Sequence, residues 1–84
     1  MAELDEVHAC TLEQRLAGFL LVHASGKGVL RQTQQEIADH IGTTREVIAR
    51  LTSRMARLDW IATKRGSITI LDRSILTELS RRGI

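Results

Sequence analysis

Arginine and glutamate side chains recur along residues 45–54 with the spacing of one helix face. Arg45, Glu46 and Arg50 are long polar groups that surround the small residue Ala49. An arginine can donate two parallel hydrogen bonds to O6 and N7 of guanine, and a glutamate can accept one from the N4 amine of cytosine. The segment therefore predicts a helix that reads base edges in the major groove of DNA, with Arg45, Glu46 and Arg50 as the base-reading residues.

Each of these side chains also has a simpler interpretation. The two arginines fit solvated cations on an exposed helix. Glu46 fits a capping box with Thr43, in which the two residues satisfy the free N–H groups at the start of a helix. An acid beside phosphates is repelled, so Glu46 suits base reading better than general electrostatic attachment. Capping and base reading both remain open for this residue.

A second set of polar residues is expected to contact the DNA backbone. Helix starts present hydroxyls, amides and the positive end of the helix dipole to phosphate, and basic side chains neutralise phosphates directly. The predicted backbone-contacting residues are Thr33, Gln35, Thr44, Arg54, Lys64 and Arg65. Plain helix capping is an equal alternative for Thr33, and the solubility of a surface turn is the alternative for Lys64 and Arg65.

The elements that must position these residues form a bihelical unit within residues 34–53. Ile37, Ala38 and Ile41 have helical spacing, and Gly42 can end that helix in a left-handed conformation. Ala38 is small, as a close crossing of two helices requires. The second helix is expected to bury one apolar face. That face consists of Ile48, Leu51, Met55 and Leu58.

The remaining sequence predicts one helix before this unit and a β-hairpin with a short helix after it. Thr11-Leu-Glu-Gln14 has the form of a capping box. One face of the following helix is formed by Leu12, Leu16, Phe19, Leu20 and His23. Gly66 separates two β-rich runs, 60–64 and 67–71, and can supply the positive φ of a tight turn. Asp72 is expected to cap the last helix. The predicted fold is mainly α with a small β-hairpin: a winged helix-turn-helix of three helices, a β wing and a short C-terminal helix.

Composition and charge agree with a single DNA-binding domain. The chain has 84 residues, of which 43% are hydrophobic and 26% charged, which suits one small folded unit and excludes disorder by composition. The net charge is only +2, but residues 1–10 carry three acids and no lysine or arginine. The positive charge is therefore concentrated in the rest of the chain, as expected for a polyanion partner, although a solvated helix face accounts for it equally well.

Several other classes of protein are not expected. No apolar run approaches the roughly 20 residues of a membrane helix, and MAELDEVHAC lacks the pattern of a secretion signal. A single cysteine, Cys10, excludes an internal disulfide framework and fits a reducing compartment. His8 and Cys10 are close in sequence, but a zinc site needs roughly four ligands, and His23 and His40 have no matching spacing. No metal site, catalytic residue or enzyme activity is expected.

Three separated motifs resemble the Crp/Fnr family of bacterial transcription regulators. Thr44–Leu51, TREVIARL, is similar to the family's recognition helix, and Arg65–Asp72, RGSITILD, is similar to its wing. Leu12–Leu21, LEQRLAGFLL, resembles the first helix of its DNA-binding domain. The motifs occur in the family's order and cover the chain from about Thr11 to Leu79. One departure is Asp59, where the family usually has Gly, although Asp tolerates a left-handed conformation better than most residues.

The resemblance implies sequence-specific binding of double-stranded DNA by the DNA-reading domain of a transcription regulator, in the bacterial cytoplasm at the nucleoid. The recognition helix would enter the major groove and the preceding helix would cross the backbone. Arg45, Glu46 and Arg50 would read a half-site similar to TGTGA. The alternative is a winged-helix protein–protein interaction module, since winged helices also serve as assembly domains. Steep salt dependence and a preference for particular DNA sequences would favour the first function.

The resemblance also implies a domain organisation and partners. Residues 1–10 are expected to be an acidic stub of a dimerisation helix or linker, and residues 11–84 the winged-helix DNA-binding domain. The family's sensor domain, to which an effector would bind, is not in this sequence, so no cofactor is expected in this chain. Intact family members are homodimers and RNA polymerase is an implied partner. This chain is expected to be a monomer or a weak dimer.

Overall fold

Four helices and a small antiparallel sheet make up the computed structural model, which describes the backbone of residues 2–82 and the side chains of residues 12–81. The elements in chain order are α1 Ala2–His23, β1 Val29–Leu30, α2 Gln34–Ile41, α3 Arg45–Arg57, β2 Ile61–Lys64, β3 Ser67–Ile70 and α4 Arg73–Arg82. The predicted winged helix-turn-helix is confirmed. None of the helices in residues 2–82 combines the length and the hydrophobicity that a membrane span requires.

α1 is longer than the sequence predicts. It begins at Ala2 rather than at Thr11, so the predicted capping box at Thr11–Gln14 is wrong as a helix start. A capping residue needs a non-helical backbone, whereas Thr11 continues an existing helix. Residues 2–10 contain no Gly or Pro to end it. The side chains of His8 and Cys10 lie outside the described residues, as does Gly83.

Apolar residues from all four helices and the sheet meet in one core. Ile37, Ala38 and Ile41 are buried as predicted, and so are Ile48 and Leu51 of α3. The other buried apolar residues are Leu16, Ala17, Leu20, Leu30, Met55, Ile61, Ile68 and Leu76. The helical spacing therefore identified the inner faces of α2 and α3.

Leu58 is an exception to the predicted inner face of α3. The residue is 48% exposed, because α3 ends at Arg57 and Leu58 has left the helix. Thr52 occupies a buried position of the face instead. Its hydroxyl donates to the carbonyl of Ile48 at 2.9 Å, which satisfies the polar group inside the core.

The two helices of the bihelical unit end with the same backbone geometry. Gly42 has φ 87°, and the N–H of Thr43 donates back to the Ala38 carbonyl at 3.0 Å, the long hydrogen bond of a Schellman motif. At the end of α3, the N–H of Trp60 donates to Met55 in the same way, at 3.0 Å. Asp59 takes the left-handed position there, with φ 62°. The expectation that Asp59 would adopt this conformation in place of Gly is confirmed.

The wing is part of a three-stranded sheet rather than an isolated hairpin. β2 and β3 pair from Ile61↔Ile70 to Lys64↔Ser67, with Gly66 at φ 75° in the turn. β1, whose sequence is only β-compatible, pairs with the other edge of β3. The carbonyl of Trp60 accepts the N–H groups of Leu71 and Asp72, so the base of the wing is tied to the end of α3.

Asp72 caps α4, as predicted. Its Oδ1 accepts the N–H of Ile75 at 3.2 Å. α4 then packs Leu76 fully into the core.

Leu51→Ala tests the buried face of α3, with Leu58→Ala as a matched control. Leu51 is 7% exposed and Leu58 48% exposed. Removing the buried side chain is expected to lower the free energy of unfolding by about 2–5 kcal/mol. The exposed leucine is expected to change it by less than about 1 kcal/mol. Urea unfolding followed by circular dichroism measures both values. Equal effects would show that the helical phase of α3 is wrong.

Asp59→Gly and Asp59→Ala test the left-handed residue after α3. Both remove the carboxylate, but only Ala keeps a β-carbon, which is strained at φ 62°. We expect the Gly variant to be more stable than the Ala variant by about 1 kcal/mol. At Ser53, an exposed position inside α3, the order is expected to reverse, because Ala favours a helix over Gly by roughly 1 kcal/mol. Thermal melting of the four variants measures both differences; the same order at both positions contradicts the strain.

Candidate nucleic-acid interface

Glu46 lies near the start of α3 but takes no part in capping the helix, so its side chain is available for a partner. Thr44 is the capping residue, and its Oγ1 accepts the N–H of Val47 at 3.3 Å. The predicted capping box between Thr43 and Glu46 is therefore wrong, because the third residue after the true cap is Val47, which has no side-chain acceptor. The Glu46 carboxylate is exposed and makes no hydrogen bond within the described residues. It is free to accept one from outside the chain.

The free face of α3 presents the base-reading candidates together. Arg45, Glu46 and Arg50 are all exposed, while Ile48 on the opposite face is fully buried. Arg57 is also exposed and lies seven residues after Arg50, which places it two turns further along the same side. The sequence prediction did not include Arg57 in the site, although the same helical spacing indicates it.

A groove joins the start of α2, the start of α3 and the tip of the wing. Its volume is about 490 Å³, and its lining includes five of the predicted contact residues: Thr33, Gln35, Arg45, Lys64 and Arg65. These residues come from three elements and are up to 32 positions apart in the sequence. Three of the five are cations. The groove therefore offers a concave basic surface beside the free face of α3.

The capping threonines can both stabilise a helix and contact phosphate. Thr33 and Glu36 form the predicted capping box: Thr33 Oγ1 accepts the Glu36 N–H at 3.1 Å, and Glu36 Oε1 accepts the Thr33 N–H at 2.8 Å. The Thr44 hydroxyl likewise accepts one N–H. A hydroxyl that accepts a hydrogen bond still has its own proton to donate. Capping and phosphate contact are therefore compatible at both positions.

Three glutamines, Gln32, Gln34 and Gln35, line the groove. Gln35 Nε2 donates to Asp39 Oδ1 at 2.9 Å, and Gln34 Nε2 donates to Thr52 Oγ1 at 3.4 Å, which links α2 to α3. Gln32 also lines the groove, and its buried Oε1 has no hydrogen-bond partner within the described residues. Sequence reasoning missed Gln32, because no spacing or motif distinguishes it from other polar residues before a helix.

Arg54 lies apart from the groove. Its Nε is 3.8 Å from Oε2 of Glu13 on α1, and the exposed fractions of the two side chains are 65% and 9%. Sequence reasoning missed Glu13, although it shares helical spacing with Leu16 and Leu20 and so belongs to the core-facing side of α1. Among the residues with described side chains, no group of three or more His, Cys, Asp and Glu is placed to hold a metal ion.

A helix-turn-helix with a basic groove and an adjacent wing defines a DNA-binding winged-helix domain. The family model of the Crp-like helix-turn-helix domain matches residues 14–79. The chain belongs to this family.

Individual relatives agree with the family assignment. The transcriptional regulatory protein btr of Bordetella pertussis is 34% identical over 90% of this chain and 35% of its own length. Among solved structures, a transcriptional regulator of the crp/fnr family from Eubacterium rectale is 39% identical, with a TM-score of 0.78 over 82% of this chain and 33% of its own. The reduced CO-sensing protein from R. rubrum is 26% identical, with a TM-score of 0.87 over 94% of this chain and 40% of its own.

The comparisons favour one of the two functions that the sequence left open. The chain spans about a third of the length of the first two relatives. Both relatives are named as transcription regulators, and the matching family model describes a helix-turn-helix domain, so the chain is a DNA-binding domain of the transcription-regulator class. A function as a protein-interaction module is not favoured.

Proposed function

We propose that this domain binds double-stranded DNA at particular sequences, with α3 in the major groove, α2 across the backbone and the wing beside it. The observation that carries the proposal is the shared exposure of Arg45, Glu46 and Arg50 on one side of α3, next to the basic groove. A protein that bound DNA through charge alone would gain nothing from an unpaired acid between two arginines. Glu46 therefore argues for base reading.

Each base-reading residue has a specific partner. Arg45 and Arg50 donate to O6 and N7 of guanine, and Glu46 accepts from the N4 amine of cytosine. By resemblance to the Crp/Fnr family, the half-site is similar to TGTGA. The long side chains reach the bases because α3 presents them from its N-terminal half, beyond the Thr44 cap.

The backbone contacts fix the register of α3 on the DNA. The hydroxyls of Thr33 and Thr44 and the amide of Gln35 donate to phosphate oxygens at the starts of the two helices. Lys64 and Arg65 contact phosphates from the wing tip, and Arg54 does so from the edge of α3. These contacts add affinity without selecting a base.

We also propose that the domain works within a homodimeric regulator in the bacterial cytoplasm, at the nucleoid. Two copies would read half-sites related by a two-fold axis. RNA polymerase is a proposed partner of the complete regulator. An effector would bind outside this domain, and we expect no cofactor within it.

Arg45→Ala, Arg50→Ala and Glu46→Ala test base reading. Each arginine variant is expected to lose about 1–3 kcal/mol of binding free energy on the preferred site and to relax the choice of base at one position. Glu46→Ala is expected to change base preference more than total affinity, because it removes a charge that phosphates repel together with a cytosine contact. Fluorescence anisotropy against all single-base variants of the half-site measures these profiles.

Arg73→Ala is the matched control for this experiment, since Arg73 is an exposed arginine on α4 outside the groove. It is expected to leave the base preferences unchanged. Base reading by Glu46 is wrong if Glu46→Ala has the preference profile of the unchanged chain.

Lys64→Ala tests the wing contact. It is expected to weaken binding to all DNA sequences alike and to reduce the slope of log affinity against log salt by about one unit, because one phosphate contact is lost. Lys27→Ala, in the turn after α1, removes the same charge outside the groove and is expected to leave the slope nearly unchanged. Titrations at several salt concentrations measure both slopes. Equal slopes for the two variants would contradict a specific wing contact.

A further inference from the structure

Glu13 is an acid in an unfavourable place. Only 7% of the residue is exposed, and its Oε2 atom is buried without a hydrogen bond in the described part of the chain. Burial removes water from a carboxylate, so a buried acid lowers stability unless a cation compensates its charge. The position of Glu13 on the core-facing side of α1 therefore requires an explanation.

Arg54 is the compensating cation. Its Nε is 3.8 Å from Glu13 Oε2, and 65% of its side chain is exposed. This distance exceeds that of a hydrogen bond but allows a charge–charge interaction, which solvent screens less beside a buried group than between two fully exposed ones. Arg54 is thus held on the side of α1 while its guanidinium still reaches the surface.

The ion pair lies beside the proposed base-reading residues. Arg50 precedes Arg54 by four residues on α3, so the two side chains are neighbours one turn apart. Two arginines in this relation repel each other, and a long unrestrained side chain samples many rotamers. Attraction to Glu13 reduces the number of rotamers that the Arg54 side chain samples. A guanidinium has five N–H donors, so Arg54 can face Glu13 with Nε and still donate elsewhere.

We propose that Glu13 is a positioning residue for DNA binding, which holds Arg54 so that its outer nitrogens donate to a backbone phosphate. This inference rests on the proposed function, because the phosphate contact of Arg54 is part of it. Glu13 itself does not contact DNA. Arg54 stays beside Glu13 in the complex, because moving away would leave the buried charge of Glu13 unpaired, which is unfavourable.

The test compares the unchanged chain with Glu13→Gln, Arg54→Ala and the double variant. Fluorescence anisotropy is measured with a labelled duplex that contains a TGTGA half-site, over a series of salt concentrations. Glu13→Gln keeps the size of the side chain and adds one positive unit to the net charge, which by itself favours DNA binding. We expect it nevertheless to weaken binding roughly 3- to 10-fold and to lower the salt slope by up to about one unit.

The decisive comparison is between Glu13→Gln and the double variant, because neither contains an uncompensated buried acid and both should fold. Their affinities are expected to agree within about twofold, with equal salt slopes, since Arg54 without Glu13 contributes little. Three results overturn the proposal. In the first, the double variant binds several-fold more weakly than Glu13→Gln. In the second, Glu13→Gln binds more tightly than the unchanged chain, as expected if Glu13 competes with DNA for Arg54. In the third, Glu13→Gln lowers the melting temperature but leaves DNA affinity unchanged.

Arg45→Ala on the same duplex separates this inference from the proposed function. If Arg45→Ala has no effect and the chain prefers no DNA sequence, the proposed function fails and the inference fails with it. If Arg45→Ala weakens binding and Glu13→Gln does not, only the positioning role of Glu13 fails.

Discussion

The packing of α2 against α3 around Ala38 is the contact on which the rest of the domain depends. The Ala38 side chain is fully buried, and its carbonyl accepts the N–H groups of both Gly42 and Thr43. A larger side chain would separate the two helices, and a β-carbon at Gly42 would strain the turn between them. Strain at Gly42 would lower the stability of the turn, whereas separated helices would change the direction of α3. The polar groups on its free face would then no longer share one surface with the start of α2.

Both ends of α3 are fixed by the backbone as well as by the core. Thr44 caps its first turn, and the left-handed Asp59 reverses the chain after its last turn. Trp60 directly precedes β2, and its carbonyl accepts the N–H groups of Leu71 and Asp72, which follow β3. Hydrogen bonds therefore fix the base of the wing at the end of α3, and the paired strands extend from that base to the tip. This explains how Arg65, on an exposed turn, lines a groove together with Arg45.

Periodic and local signals account for the parts of the structure that could be predicted. The spacing of Ile37, Ala38 and Ile41 marked the buried face of α2, and Thr33 with Glu36 marked its start. The same capping pattern was misleading at Thr11, because it also occurs inside a helix that begins upstream. At residues 43 and 44 two threonines are adjacent, and a pattern of residue types cannot tell which one adopts the extended backbone of a cap. Helix ends depend on tertiary context that periodicity does not contain.

The candidate site was predictable on α3 but not in its full shape. Exposure of Arg45, Glu46 and Arg50 follows from the helical repeat, whereas the groove depends on how the wing folds back towards α2. The two acids near α3 show why the charges in the sequence could not identify the candidate site by themselves. Glu46 is exposed and has no hydrogen-bond partner among the residues that the structure describes, so it is available to discriminate between bases. Glu13 is buried and faces Arg54, so its charge acts within the protein. In the proposed function, the effect of each acid on DNA binding depends on its burial and its partner, which the sequence does not specify.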